Sequence, residues 1–269
     1  MFDLIHGDCI KELGKLIQQD IKVDLTITSP PYDNLRNYNN TLKWDFQIFK
    51  KIADQLYEIT ADGGVVVWIV NDATINGSET GTSFKQALYF KEIGFNLHDT
   101  MIYAKKNPVP NAKNRYQQDF EYMFVFSKGK PKTIHILKEP RHNKYNDKRT
   151  FRKDKQFNRN ESGKHLRRDY HFPEKVPRRN IWYYSTGLNG TTMYRDAFKH
   201  PAIFPEKLAM DHILSWSNPG DLVLDPFMGS GTVGITSLQS NRSFIGIELE
   251  EKYYAIAVER CKEYQSRLI

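Results

Sequence analysis

Short apolar runs alternate with amphipathic segments along much of this chain. A short apolar run bounded by turn residues is typical of a buried strand, whereas an apolar period near 3.6 is typical of a helix. The pattern predicts strands at 2–5, 23–28, 65–70, 100–104, 122–127, 222–224 and 243–247. It predicts helices near 46–60, 83–93, 206–216 and 232–240. Asp62-Gly63-Gly64 is typical of a glycine C-cap on the first of these helices.

This alternation predicts an α/β fold, in which a mainly parallel sheet is covered by helices on both faces. Ligands of such doubly wound sheets bind beyond the carboxyl ends of the strands. Ser29, Asn71, Asp72, Asp225 and Glu248 all fall at predicted strand ends. We therefore expect one crevice to collect them.

A stiff corner follows the second predicted strand, with the sequence Thr28-Ser29-Pro30-Pro31-Tyr32. The two prolines fix their own φ, push Ser29 toward an extended backbone and remove two N–H donors. A rigid turn rich in acceptors and followed by an aromatic ring suits a flat group with an exocyclic amine, such as a flipped nucleobase. A Ser-Pro-Pro surface turn without function is the alternative reading.

A glycine-rich loop follows a strand near the other end of the chain, in the run from Leu222 to Thr232. Gly229 and Gly231 would let backbone amides approach a ligand, and the helix that follows would direct its N-terminus at that ligand. With Gly234 and Glu248, these residues also match the G-x-G-x-x-G dinucleotide fingerprint. An oxidoreductase with a nicotinamide or flavin cofactor therefore stays an alternative.

Composition predicts a single soluble catalytic domain. The 269 residues can bury a sizeable core, and no apolar run is long enough to cross a membrane. No signal peptide opens the chain, and the two cysteines, Cys9 and Cys261, are too few for a disulfide framework. No Cys/His spacing suggests a metal site, so we expect a protein without a metal. The small number of cysteines fits a reducing compartment, so we also expect the protein in the cytoplasm.

Positive charge is concentrated in one stretch. The chain carries +7 overall, but residues 128–179 hold 18 Lys and Arg against 6 Asp and Glu, so the remainder is acidic. Aromatic residues are interleaved with these cations. Such a stretch is expected of a nucleic-acid surface, and its weak apolar periodicity predicts loops with little core.

Taken together, the proline corner and the glycine loop resemble two motifs of the amino-group DNA methyltransferases. The segment from His200 to Ala209 is similar to the one that precedes the glycine loop in this family, and His6-Gly7-Asp8-Cys9 is similar to its adenine-side pocket. Because the proline corner comes first, the chain resembles the beta class of the family.

That resemblance implies a circularly permuted, seven-stranded fold of the S-adenosylmethionine-dependent methyltransferase type. Its catalytic half would be 1–127, its basic target-recognition insert 128–199 and its cofactor-binding half 200–269. Double-stranded DNA would be the partner. A companion restriction endonuclease, and the choice between monomer and homodimer, are left open.

Site residues follow from the same resemblance. The catalytic set would be Ser29, Pro30, Pro31 and Tyr32. The residues that bind S-adenosylmethionine would be Asp8, Cys9, Phe204, Pro205, Leu208, Asp225, Phe227, Gly229, Ser230, Gly231, Thr232 and Glu248. An ordinary helix cap would also explain Asp8. The DNA contacts would come from Asn107, Arg115, Arg141, Lys144, Arg152, Lys153, Arg167 and Arg168, and Glu121 is a further candidate.

The implied reaction is a direct transfer of a methyl group to the amine of a flipped base. Ser at the first position of the catalytic motif favours cytosine N4 over adenine N6. Methylation at carbon five of cytosine is disfavoured, because that chemistry typically uses a thiol after a proline and neither cysteine follows one. A DNA-binding protein with an inactive methyltransferase core, and an RNA substrate, stay as alternatives.

Overall fold

A computed structural model describes residues 1–31, 44–108, 115–140, 174–188, 190–200 and 203–266 of the chain. In chain order its strands are β1 Phe2–His6, β2 Val23–Thr28, β3 Thr60–Val70, β4 Thr74–Ile75, β5 Ser78–Glu79, β6 Asn96–Lys105, β7 Phe120–Ser127, β8 Lys138–Pro140, β9 Lys175–Pro177, β10 Ile181–Tyr184, β11 Leu222–Asp225 and β12 Ser243–Glu248. Its helices are α1 Cys9–Gln18, α2 Phe46–Ile59, α3 Thr82–Glu92, α4 Glu206–Trp216, α5 Thr232–Gln239 and α6 Glu251–Ser266, with a 3₁₀ turn at Arg195–Lys199.

One sheet of eight strands organises the described residues, in the order β1-β12-β11-β2-β3-β7-β6-β10. β7 runs antiparallel to its neighbours β3 and β6, and the other pairings are parallel. The predicted α/β class with a mainly parallel sheet is confirmed. Because β2 and β11 are neighbours, the two distant motifs leave the sheet side by side.

The eighth strand is β10, which the apolar pattern did not predict. Its side chains alternate between exposed and buried, with Trp182 and Tyr184 turned inward. Four residues at the edge of a sheet carry too short a pattern to stand out within a basic, loop-rich stretch.

The glycines at 63 and 64 do not cap α2, so that prediction was wrong. The helix ends at Ile59, and Thr60 already begins β3. Gly63 adopts a φ of +73°, and its N–H donates to the Lys128 carbonyl. A Cβ there would lie 3.0 Å from the Lys130 carbonyl oxygen, so glycine is required by the neighbouring backbone.

The core lies between the sheet and its helices. β2 and β3 are almost wholly buried, and α2 turns Phe49, Ile52, Ala53, Leu56 and Ile59 toward them. Trp68 stands at the centre, where its indole N–H donates to Gln86 Oε1 at 2.8 Å. Burial on both faces explains the continuous apolar runs of the sequence.

The chain forms two compact units. The larger comprises 1–135 and 180–269, and the smaller comprises 136–179. In the smaller unit, the described residues form an antiparallel pair of β8 and β9 with an ion pair between Arg179 and Glu139. The predicted insert, 128–199, is wider than this unit. Its role in target recognition stays a prediction.

Within the described ranges, no helix has both the length and the apolar character needed to cross a membrane.

Candidate active site

A cavity of about 810 Å³, its open mouth included, lies at the carboxyl ends of β1, β12, β11 and β2. Nine of the twelve residues predicted to bind the cofactor line it. They are Asp8, Cys9, Phe204, Asp225, Phe227, Gly229, Ser230, Thr232 and Glu248.

The proline corner opens onto the same cavity. Ser29 and Pro31 line it, and Pro30 is buried without reaching the wall. Tyr32, the fourth residue predicted for catalysis, lies outside the described residues. The structure therefore brings the first predicted motif and the glycine loop to one place.

Asp225 connects the two motifs. Its Oδ1 accepts hydrogen bonds from Thr28 Oγ1 at 2.7 Å and from the Phe227 N–H at 3.1 Å. Burial raises the pKa of Asp225 to about 7, although both hydrogen bonds favour the ionised form. A carboxyl group that titrates near neutrality therefore stands in the cavity wall.

Glu248 uses its carboxylate to hold the glycine loop. Oε2 accepts from the Gly229 N–H and Oε1 from the Glu250 N–H, each at 2.8 Å. Burial raises the pKa of Glu248, against the effect of these two hydrogen bonds. Two amides of the loop bind within the chain, since the Gly229 N–H donates to Glu248 and the Gly231 N–H donates to the Met228 carbonyl. The approach of the loop amides to a ligand stays a prediction.

Both loop glycines have positive φ, +54° at Gly229 and +81° at Gly231. A Cβ on Gly229 would lie 3.0 Å from His200 Nε2, and one on Gly231 would lie 3.0 Å from Ala257 Cβ. These glycines therefore leave room for neighbouring protein atoms. Gly231 does not line the cavity, since it is the N-cap of α5 and packs against α6.

Asp8 caps α1, as the alternative reading of this residue predicted. Its carboxylate accepts from the Lys11 N–H at 3.1 Å, and Asp8 also lines the cavity. Next to it, burial raises the pKa of the Cys9 thiol to about 12, with a smaller contribution from Asp8. This thiol is therefore protonated at neutral pH.

Phe204 reaches the cavity, but Pro205 and Leu208 do not. Pro205 is the N-cap residue of α4, and Leu208 is fully buried within the first turn. The predicted helix at 206–216 is confirmed at both ends.

Several wall residues were not assigned a role from the sequence. They are Gly7, His200, Ile203, Pro226, Met228, Ile247, Leu249 and Glu250. His200 is the most distinctive of them, because its ring packs against Gly229 and edge-on to Tyr253, with 4.3 Å between ring centroids. Its place at the start of the 200–209 segment was the only signal.

Asn71 and Asp72 do not line this cavity, so the prediction of one shared crevice was wrong for them. They line a separate open hollow with Arg115 and Tyr122. Asp72 accepts from the N–H and the hydroxyl of Ser83, which anchors the start of α3. The ends of β2 and β3 are adjacent, but the segments that follow these strands make hydrogen bonds with different parts of the chain and line different hollows.

The candidate DNA contacts within the described residues bind other parts of the chain. Asn107 Nδ2 donates to the Thr186 carbonyl at 2.9 Å, and its Oδ1 accepts from the Thr186 N–H at 2.7 Å. Arg115 donates to the Gly77 carbonyl and lies 3.6 Å from Glu79, and Glu121 pairs with Lys105 at 2.7 Å. The other candidates, Arg141, Lys144, Arg152, Lys153, Arg167 and Arg168, lie outside the described residues.

In the part of the chain that the structure describes, no group of three or more His, Cys, Asp or Glu side chains could hold a metal ion.

Comparison with known proteins identifies the family. The model of the N6/N4 DNA methylase family matches residues 23–259. Orphan methyltransferase M.BamHII of Bacillus amyloliquefaciens is 53% identical over 245 residues, which is 91% of each chain. The DNA adenine methyltransferase YhdJ of Escherichia coli K12 is 29% identical and covers 96% of this chain and 81% of its own.

A solved structure agrees with these sequence matches. The M1.HpyAVI complex with S-adenosylmethionine (SAM) has a TM-score of 0.63 and 27% identity, over 97% of this chain and 98% of that chain. The chain therefore belongs to the N6/N4 amino-methyltransferase family of site-specific DNA methylases, and S-adenosylmethionine is its methyl donor.

Proposed function

We propose that this chain methylates the N4 amine of cytosine in double-stranded DNA, with adenine N6 as the alternative target. The observation that carries the proposal is the shared cavity, in which Ser29 and Pro31 stand with the glycine loop and Glu248. A base amine bound at the proline corner and a methyl donor bound at the glycine loop would lie in the same cavity, so the methyl group could pass directly from donor to amine.

The cavity wall suits the methyl donor chemically. S-adenosylmethionine carries an adenine ring, ribose hydroxyls, an ammonium group and a sulfonium that activates its methyl group. The cavity offers the carboxyl groups of Asp8, Asp225 and Glu248 for the cationic and hydroxyl groups. It offers Ile203, Phe204, Phe227 and Leu249 as apolar wall.

Within this assignment Glu248 would accept from the ribose hydroxyls, because each carboxylate oxygen has a second lone pair beside its bond to the backbone. Asp8 would accept from the adenine amine and still cap α1. Asp225 would face the positive charge of the donor.

Catalysis would rest on orientation. The Ser29 hydroxyl and the Pro30 carbonyl would accept hydrogen bonds from the base amine, which draws its nitrogen toward a tetrahedral form and directs the lone pair at the methyl group. Tyr32 would stack on the flipped base. Positioning and electrostatics account for the acceleration in such a scheme, since no covalent enzyme intermediate is needed.

The basic stretch at 128–179 would hold the phosphate backbone. Arg152→Ala and Lys153→Ala should each weaken DNA binding for all sequences and lower the slope of log K against log salt by about one. Unchanged slopes would remove these residues from the DNA contacts.

The choice of cytosine rests on Ser29, and the similar adenine methyltransferase YhdJ keeps adenine open. Because the relative M.BamHII is named an orphan, we propose that the chain acts without a companion endonuclease. Its cytoplasmic location stays a prediction.

One experiment tests both the reaction and the base. The protein is incubated with methyl-labelled SAM and mixed-sequence duplex DNA, and the DNA is digested to nucleosides. We expect labelled N4-methylcytosine. Labelled N6-methyladenine alone would overturn the choice of base, and no labelled nucleoside would overturn the reaction.

Two variants test the proposed catalytic corner. Ser29→Ala and Tyr32→Ala should each lower turnover by about 100-fold while leaving SAM affinity unchanged, because both act on the base. Tyr183→Ala, on the exposed face of β10, is the control and should keep full turnover. Full turnover of the Tyr32 variant would contradict the mechanism.

A further inference from the structure

A buried arginine joins two parts of the cavity wall. Arg260 lies on α6 and is 3% exposed. Its Nη1 donates to the Ser230 carbonyl at 2.5 Å and to Ser230 Oγ at 3.1 Å, and its Nη2 donates to Glu206 Oε1 at 2.8 Å. Ser230 belongs to the glycine loop and lines the cavity.

The second partner of Arg260 stands behind the other part of the wall. Glu206 is the first residue of α4 and follows Phe204 and Pro205. Its Oε1 also accepts from Thr192 Oγ1 at 2.6 Å, and its N–H donates to the Thr191 carbonyl at 3.0 Å. Glu206 therefore ties the start of α4 to Arg260 and to the Thr192 hydroxyl through its carboxylate, and to the Thr191 carbonyl through its N–H.

The guanidinium is also covered by an aromatic ring, since Arg260 Cζ lies 5.4 Å from the centroid of Tyr194. Burial lowers the pKa of Arg260, against the effect of Glu206. A buried charge is costly unless it is well paired, and a buried ion pair is weak evidence for a purely stabilising role. A specific geometric role would explain why the chain keeps a charge here.

We propose that Arg260 is a positioning residue for the methyl donor, holding the loop at Ser230 and the wall at Phe204 at a fixed separation. This inference rests on the proposed function, in which the cavity binds S-adenosylmethionine. The planar fork of arginine reaches both partners at once, whereas the ammonium group of lysine is a single point. The charge of Arg260 would act through Ser230 and Glu206 and would not touch the donor.

The test compares Arg260→Lys, Arg260→Met and the double variant Arg260→Met/Glu206→Leu. Lys262→Met, an exposed position on the same helix, is the matched control. For each protein the affinity for SAM and its demethylated product is measured by calorimetry, thermal stability by melting, and kcat and both KM values from turnover on duplex DNA.

We expect Arg260→Lys and Arg260→Met to weaken donor binding about tenfold or more and to raise the KM for the donor, with the KM for DNA unchanged. In the double variant the apolar pair should restore much of the melting temperature, because no charge is left unpaired. Donor binding should stay weak there, since nothing holds the Ser230 carbonyl.

Two results would overturn the inference. One is a lower melting temperature with unchanged donor affinity, which would make Arg260 only structural. The other is recovery of donor affinity together with stability in the double variant. A failure of the proposed donor site in the cavity gives a different result. In that case wild-type protein would still bind the donor, but substitutions at Glu248 and Phe204 would leave the affinity for the donor unchanged.

Discussion

Thr28 Oγ1 donates a hydrogen bond of 2.7 Å to Asp225 Oδ1, although 197 residues separate the two along the chain. Thr28 is the last residue of β2 and precedes Ser29, and Asp225 is the last residue of β11 and precedes the glycine loop. The bond therefore fixes the start of one motif to the start of the other. Neighbouring parallel strands make this contact possible.

The first prediction concerns this bond. Thr28→Val keeps the side-chain shape but removes the donor, so buried Asp225 loses its shortest hydrogen bond. We expect the free energy of unfolding to fall by about 1–3 kcal/mol. Urea denaturation measures the change.

Thr26→Val is the matched control for Thr28→Val. Thr26 is also fully buried on β2, but its hydroxyl has no hydrogen-bond partner among the described residues. Its replacement should therefore be neutral or stabilising. Equal losses in the two variants would show that the hydrogen bond to Asp225 contributes nothing.

The second prediction concerns pH. Burial raises the pKa of Asp225 in the folded chain from 3.8 to about 7, so the folded state binds this proton more tightly than the unfolded state. Protonation of Asp225 contributes its full stabilisation of the folded state below about pH 4, and this stabilisation is lost as the pH rises through about 7. We expect wild type to lose stability relative to Asp225→Asn over this interval. A parallel pH dependence of the two proteins would contradict the raised pKa.

The third prediction concerns the packing of the glycine loop. Gly231→Ala should destabilise the chain by about 1–3 kcal/mol from backbone strain, and by a further amount because Ala257 Cβ, only 3.0 Å from the new Cβ, would have to move. Gly77 has nearly the same φ, +80° against +81°, but a Cβ there meets nothing within 4 Å. Gly77→Ala should therefore show the strain alone. Equal losses of unfolding free energy would exclude the packing contribution.

The fourth prediction concerns the two thiols. Burial raises the pKa of both Cys9 and Cys261 to about 12, so both should react with N-ethylmaleimide far more slowly at pH 7.5 than an exposed peptide thiol. Cys9 lines the cavity, and the demethylated cofactor product should slow its labelling further. Cys261 is 2% exposed and should be labelled only on unfolding. Mass spectrometry of the labelled peptides distinguishes the two sites. If the demethylated product did not change the labelling rate of Cys9, that result would count against cofactor binding in the cavity.

Local patterns were enough to predict most of the elements. The apolar run at 23–28 and the helix at 206–216 match β2 and α4 at both ends, because apolar spacing and turn residues are local properties. Where a non-local contact decided the outcome, the prediction was wrong. Gly63 and Gly64 join β3 because the 128–132 backbone binds them, and β10 is a strand because β6 offers it an edge.

The same division holds for the candidate site. Residue types and their order along the chain were sufficient to place Ser29, Asp225 and Glu248 at strand ends, and the resemblance of their motifs to those of a known family indicated a methyltransferase. Tertiary structure alone decided that Glu248 holds Gly229, that Gly231 yields space to Ala257 and that Arg260 reaches Ser230. Such contacts join residues far apart in the chain, and their distances depend on how the sheet and helices pack.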